Sequence, residues 1–341
     1  MLTGDAQQMH GKPKIVITDY DYGDVSIETE ILEAAGAQVI ALQVKTEKDL
    51  AEVAGDCFGM MNQYAPIGAE TIARMQICKV IARYGVDVDI VDVEAASNKG
   101  ILATNVRDYC TEEVADHAIA LWLTLARKLP AYDKATRAGV WRWQSGAPLN
   151  RIRGRSTGIV FFGKINQAIA DRARALGVAL LVYDPYICAE KISAKGARSV
   201  SKDELLREAG FLLMQAPMTS EAWHFLSHRE FEIMKSSAIV VNTGRGPTID
   251  NKALDKALTE NQIAAAGLDD PEEEPAKRAS WSPDENPIFR LANVIVTPHA
   301  AYYSEESIQR ARTLAANEVA SVLLGGSPKF PVNAEAVANR G

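Results

Sequence analysis

The 341-residue chain holds little cysteine: Cys57, Cys78, Cys110 and Cys188 lie far apart and form neither a C-x-x-C pair nor a zinc spacing. That argues against a disulfide-stapled scaffold, and reduced thiols are expected. The five histidines show no metal-ligand spacing either. Long hydrophobic runs are also missing, since none reaches the roughly 18–20 residues that a membrane span needs. The opening stretch MLTGDAQQMHGKPK has no apolar core of the signal-peptide kind, so a cytoplasmic protein is expected. There is no basic excess: the net charge is −7, which argues against nucleic acid or an anionic membrane as the main partner. A local pocket on an acidic protein can still be basic and take an anionic substrate.

The composition is that of a globular protein, 47% apolar and 24% charged, and the length suits two domains. Short β-rich runs alternate with helical patterns. Strands are expected at 14–18, 38–43, 79–82, 157–162, 179–183, 211–215, 238–242, 264–268 and 294–297. Helices are expected at 27–35, 112–129, 167–176 and 304–324, the second begun by Thr111. Such alternation implies parallel βαβ units and a doubly wound α/β fold. Two domains interleaved in sequence follow, one formed by residues 1–105 and 299–341, the other by 106–298. Residues 272–284 read as a charged surface loop, His10 as part of a disordered tail, His117 as packing on the crossing helix, and His224 and His228 as solvated.

The segment Gly158-Ile-Val-Phe-Phe-Gly163-Lys164-Ile165-Asn166 joins a strand to a helix. A dinucleotide fold wants G-x-G-x-x-G there: one glycine for the tight turn, one for close approach of the pyrophosphate, one for helix–strand packing. This chain supplies Phe161, Gly163 and Asn166 at those positions. The helix start still offers free N–H groups to a phosphate. Asp184, roughly twenty residues further on, stands where an acid hydrogen-bonds the ribose 2′-OH, which favours NADH over NADPH. The Phe161 ring must either tuck beneath the loop or occupy cofactor space. A unit that no longer binds nucleotide is the rival expectation.

Three segments at strand ends carry polar groups: Asn242-Thr243-Gly244-Arg245, Asp269-Asp-Pro-Glu-Glu-Glu274 and Thr297-Pro-His299. In an open parallel sheet these ends line the ligand crevice. A histidine suits proton exchange with a hydroxyl or carbonyl near neutral pH. A neighbouring carboxylate fixes its tautomer, and an arginine holds a substrate carboxylate through paired donors.

The segments NTGRGPTID, AGLDDPEEEPA and NVIVTPHAAYYSEES resemble signatures of the D-2-hydroxyacid dehydrogenases, the group that includes D-3-phosphoglycerate dehydrogenase. The stretch TPHAAYYSEE looks most like the carboxy-terminal binding protein branch. The resemblance runs from KIVITDY to about residue 325. It implies two Rossmann-like domains, NAD, a small 2-hydroxy or 2-keto acid substrate and a homodimer. On this likeness residues 106–298 would bind the dinucleotide, and the discontinuous domain would serve the substrate. Arg245 would orient substrate, Glu274 would pair with the histidine, and His299 would be the acid–base group. Cys110, Phe161, Gly163, Lys164, Ile165, Asp184, Ala216, Pro217, Thr243, Gly244 and Asp269 would line the cofactor, Asp269 at the nicotinamide amide. Tyr64, Val86, Asp87, Arg245 and Tyr302 would face substrate. The chain departs from the pattern at Phe161, Asn166 and Asp87, which replace glycines, at Arg107, which replaces proline, and at Gly210, where aspartate is common. The loop around Asn62-Gln-Tyr64 lacks the arginine that phosphoglycerate enzymes use for phosphate. A catalytically impaired, corepressor-like relative that senses dinucleotide or binds a partner is the alternative implied by these departures.

Overall fold

In the computed structural model, which describes residues 11–44, 46–275 and 280–339, the alternating apolar runs form two all-parallel sheets. His10 and positions 276–279 of the expected surface loop lie outside the described residues. The chain divides into two compact units, Met1–Tyr109 with Ser304–Gly341, and Cys110–Tyr303. These limits lie a few residues beyond the expected 105/106 and 298/299 divisions, so His299 and Tyr302 fall in the second unit.

The first unit holds β1 (Lys14–Ile17), β2 (Gln38–Ala41), β3 (Gly59–Asn62), β4 (Val80–Arg83) and β5 (Leu102–Thr104), in the order β2-β1-β3-β4-β5. Successive side chains of a strand point to opposite faces. Ile15 and Ile17 accordingly pack with Ala311, Ala315 and Val319 of the helix Glu305–Leu323, while Val16 packs with Leu50, Met60 and Ile72 on the other face. Within this unit Arg312 reaches the fully buried Glu28, Nη2 to Oε2 at 2.7 Å, and also contacts Asp24 at 2.9 Å.

The second unit holds β6 (Ser156–Val160), β7 (Ala179–Tyr183), β8 (Arg198–Ser199), β9 (Phe211–Met214), β10 (Ile239–Asn242), β11 (Ala265–Leu268) and β12 (Val294–Val296). Their order, β12-β11-β10-β9-β6-β7-β8, reverses direction at β6 and β9. A crevice therefore opens at the carboxyl ends of those two strands, the topological switch point at which such sheets bind ligands. The helix Thr111–Ala126 buries Val114, Ala115, Ala118, Leu121, Trp122 and Leu125, a stripe at helical spacing. Its N-cap is Cys110, which makes no side-chain cap bond, and Thr111 is the first residue of the helix itself. It also ends earlier than expected. Lys128 takes a left-handed conformation (φ 49°), and a second helix, Leu129–Arg137, begins with proline in its first turn. Proline cannot continue the preceding helix but suits the start of the next. Among the described residues no disulfide joins the four cysteines, and only Cys188 is exposed.

Candidate active site

The loop after β10 is shaped from within by Asn242. Its buried amide donates to the Arg245 carbonyl at 3.1 Å and to Thr248 Oγ1 at 3.1 Å, and its Oδ1 accepts the Gly244 N–H at 3.0 Å. Two glycines are needed for close approach. A Cβ on Gly246 would lie 2.0 Å from the Pro271 carbonyl oxygen, and one on Gly244 would lie 2.9 Å from the Ala216 nitrogen. With both side chains absent, the loops after β9, β10 and β11 pack backbone to backbone. Arg245 emerges from this knot with its side chain only 8% exposed, and its guanidinium is ion-paired with Glu274.

The loop after β11 begins with two buried aspartates that do different work. Asp269 takes the Thr297 hydroxyl at 2.6 Å and the Ala300 N–H at 2.9 Å on Oδ1, and the Ala301 N–H at 2.9 Å on Oδ2. This network holds the turn after β12, where His299 adopts a left-handed φ of 52°. Asp270 turns its Oδ2 to Nδ1 of His299 at 3.0 Å. The expected partnership of Glu274 with the imidazole is therefore not the one in place: Asp270 lies against His299, and Glu274 lies against Arg245. The Asp269 carboxylate, expected at the nicotinamide amide, takes three hydrogen bonds from the turn that carries His299. The His299 ring is 39% exposed and meets Tyr302 edge to face, with centroids 5.9 Å apart. Beside it lies a cleft of about 590 Å³ bordered by Asp269, Asp270, Thr297, Trp281 and Phe289.

Residues 272–274 do not read as a solvated loop. Glu272 accepts from His224 Nε2 at 2.6 Å and from the Asn251 N–H at 2.9 Å, which anchors the loop to the helix Asn251–Thr259. His224, expected to be solvated, is thus a clamp stacked on Trp223, while His228 is exposed as expected. Asp250 lies 4.0 Å from His224. Burial works against its ionised form, yet the Ala253 N–H, the Ser227 hydroxyl and His224 together hold its carboxyl below the usual range. His117 is more than packing, because its Nε2 lies 2.9 Å from Thr297 Oγ1 and extends the Asp269 network into the helix Thr111–Ala126.

At the switch point Phe161 has the positive φ (64°) that the family's first glycine would supply. Its ring is 4% exposed and sits in the core with Leu181, Leu205 and Phe225. The ring is therefore tucked beneath the loop, and Phe161 belongs to the core rather than to the cofactor surface. Asn166, also buried, donates from Nδ2 to the carbonyls of Val160 (2.9 Å), Phe161 (3.1 Å) and Gln215 (3.2 Å). It thereby ties the ends of β6 and β9 together where glycine would only permit close packing. Gly163 is exposed, caps the helix Lys164–Ala175, and would have nothing within 4 Å of an added Cβ. Open space in front of a helix start fits a pyrophosphate. Asp184 accepts the Phe162 N–H at 2.7 Å on Oδ2, and the Tyr186 and Ile187 N–H groups on Oδ1, so it also shapes the loop. Ala216 is buried and Pro217 exposed, and Thr243 donates to Gln215 Oε1 at 3.0 Å. Cys110 is buried at the start of its helix.

In the first unit, Tyr64 and Val86 are exposed and Asp87 is half-buried, on the loops after β3 and β4. Asp19, which sequence reasoning passed over, takes the N–H groups of Gln63, Tyr64 and Ala65 on its carboxylate and fixes the loop after β3.

Residues 119–301 match the family model described as D-isomer specific 2-hydroxyacid dehydrogenase, NAD binding domain. A D-3-phosphoglycerate dehydrogenase from Methanocaldococcus jannaschii is 34% identical over 94% of this chain, which spans 59% of that protein's length. A glyoxylate reductase from Korarchaeum cryptofilum is 35% identical over 86% of this chain and 87% of its own. A solved D-lactate dehydrogenase from Aquifex aeolicus, complexed with NAD and lactic acid, superposes with a TM-score of 0.83 at 25% identity, over 91% of this chain and 96% of its own.

Proposed function

Since the chain belongs to the D-isomer specific 2-hydroxyacid dehydrogenase family, and is an NAD-dependent oxidoreductase of it, we propose that it interconverts a small D-2-hydroxy acid and the matching 2-keto acid, with His299 as acid–base group and Arg245 orienting the substrate carboxylate. The observation that carries this reading is the gathering of Arg245, Glu274, Asp270 and His299 on the loops after β10, β11 and β12, each with a defined partner. A bound nicotinamide would be the hydride donor or acceptor. The chain's own residues do the rest. Arg245 draws the carboxylate by paired donors. His299 presents Nε2, the ring nitrogen not engaged by Asp270, and gives its proton to the forming alkoxide or takes it from the hydroxyl.

Residues 106–298 serve the dinucleotide in this reading, with Gly163, Lys164 and Ile165 at the pyrophosphate, Ala216, Pro217, Thr243 and Gly244 along the crevice, and Asp184 at the adenosine ribose. A carboxylate at the ribose disfavours a 2′-phosphate, so NADH is preferred over NADPH. Met1–Tyr109 with Ser304–Gly341 serves the substrate in this reading, with Tyr64, Val86 and Asp87 as its candidate residues and Tyr302 as a candidate of the other unit. Asp87 disfavours a second anionic group, and with no arginine at Asn62-Gln-Tyr64 a phosphorylated substrate is not accepted. The chain works as a homodimer, supported by Trp141 and Trp143, which are 87% and 73% exposed as single protomers. No described helix is long and apolar enough to cross a membrane.

Loss of NADH absorbance with glyoxylate, pyruvate or hydroxypyruvate tests the activity. Thermal shift tests cofactor binding: at 100-fold excess over Kd, NADH stabilises by about 2.7 kcal/mol. A shift without turnover favours a dinucleotide-sensing relative. No shift at millimolar NADH or NAD⁺ removes the enzymatic reading, and size-exclusion with light scattering decides the dimer.

A further inference from the structure

Two of the four cysteines stand together in the first unit, and the proposed chemistry uses neither. The ladder of β3 on β4 opens with Gly59 beside Val80, and a cysteine lies two residues before each partner, Cys57 and Cys78. Two backbone hydrogen bonds bracket them. The Gln76 N–H donates to the Gly55 carbonyl at 3.1 Å, and the Lys79 N–H donates to the Phe58 carbonyl at 2.8 Å. Both side chains enter the same apolar layer, with Leu50, Met60 and Ile81. Neighbouring strands run about 4.7–4.9 Å apart, inside the Cα separation of roughly 4.4–6.8 Å that a disulfide spans. We propose that Cys57 and Cys78 form a redox modification site, a dithiol that hydrogen peroxide converts into an intrachain disulfide and that thiol reductants restore. The inference stands apart from the dehydrogenase reading.

The two thiols have different chemistry. The Cys78 thiol bonds to the Cys57 sulfur, and this bond, against burial and helped by the charge of Lys14, holds the Cys57 thiol below its ordinary value. The same bond, together with burial, pushes the Cys78 thiol well up. The thiolate is the nucleophile, so Cys57 attacks first. Its Sγ takes one peroxide oxygen, the O–O bond breaks, and the leaving hydroxide takes up the proton that Cys57 had lost. The resulting sulfenic acid lies against Cys78. The S–S bond forms as the S–O bond breaks, and the Cys78 proton leaves with the oxygen as a second water. Two thiols thereby lose two electrons, and one peroxide is reduced to two waters. The path from solvent is short: Cys78 is 6% exposed between exposed Ile77 and Lys79, and buried Cys57 follows exposed Asp56. The bond closes a ring that carries β3, the loop of Tyr64 and the helix Ala69–Arg74.

Trypsin separates the two thiols, since Cys57 falls in peptide 49–74 and Cys78 in peptide 75–79. The reduced, folded chain is treated with hydrogen peroxide, remaining thiols are blocked with N-ethylmaleimide in denaturant, and the peptides are mapped by mass spectrometry. Peptides 49–74 and 75–79 should appear joined, and separate on adding dithiothreitol. Their yield should exceed that of any pairing with Cys110 or Cys188 by about tenfold or more, because the fold holds these two sulfurs together. In protein unfolded before oxidation, the advantage should shrink to within about threefold. In Cys78→Ser, which lacks the second thiol, Cys57 should instead gain two oxygens as the sulfinic acid. Exposed Cys188 is the internal control. If Cys57 and Cys78 are both still alkylated once Cys188 is fully oxidised, the proposal is overturned. Over-oxidation of Cys57 without the link in the wild-type chain, or an equal preference in folded and unfolded protein, overturns it too. The wild-type map alone decides the matter should the variant fail to fold.

Discussion

Replacing Phe161 with glycine would restore the family's residue at the start of the loop, yet the structure argues that the protein would become less stable. Two effects oppose each other. Phe161 holds φ at 64°, and relieving a left-handed non-glycine residue returns about 1–3 kcal/mol. Its ring is 4% exposed among Leu181, Leu205 and Phe225, and emptying such a site costs about 3–5 kcal/mol. The net expectation is a loss of about 2 kcal/mol, or roughly 4–8 °C in Tm for a domain of this size. Tryptophan fluorescence is well placed to read it, because Trp122, Trp141, Trp143, Trp223 and Trp281 all lie in the second unit and report its unfolding in urea. A Phe161→Gly protein with an unchanged or raised midpoint would refute the reasoning, since the ring would then contribute less than its backbone strain.

Asn166→Ala should lower stability by about 1–3 kcal/mol, because the carbonyls of Val160, Phe161 and Gln215 lose a shared donor in a buried place; urea midpoints check it. Arg312→Leu strands the fully buried Glu28 and should cost about 3–5 kcal/mol by circular dichroism, with part recovered in the Glu28→Gln, Arg312→Leu double variant. Acid should weaken the same corner. The Ser26 N–H and hydroxyl, followed by Arg312, hold Asp24 down to about 2, below its ordinary value of 3.8. A depressed carboxyl stabilises the fold above its unfolded value and loses that contribution as pH falls toward 2. The gap in urea midpoint between wild type and Asp24→Asn should stay constant above about pH 5 and close between about pH 4 and 2.

Strands of β-branched residues announced themselves, as at Lys14–Ile17 and Ile239–Asn242. By contrast β3 is Gly-Met-Met-Asn, without a β-branched residue, and is a strand because β1 and β4 flank it in the sheet. Periodicity placed Arg245, Asp269 and His299 at adjacent strand ends. It gave no means of choosing among four carboxylates in a run of acidic residues, a choice made by the path of the backbone over Gly246. The aspartate doublet was the available signal for Asp270. Phe161 and Asn166 read as damage because glycine at those positions stands for two separate needs, a positive φ and room for the helix. The chain meets the first with a strained phenylalanine whose ring is welcome in the core, and the second with an amide that bonds what it crowds.

Arg312 and Glu28 are 284 residues apart, and both complete the first unit. During synthesis at about 5–20 residues per second, the ribosome delivers Glu28 early and its guanidinium only after the whole of Cys110–Tyr303 has emerged. Until then β1 and β3 lack the helix Glu305–Leu323 that covers them. The usual order of nascent folding is thereby inverted: the later-made unit is contiguous and can close first, while the earlier-made one waits, apolar face bare, for tens of seconds. A folding helper that shelters exposed sheet during translation would have its longest engagement with the amino-terminal third of this polypeptide.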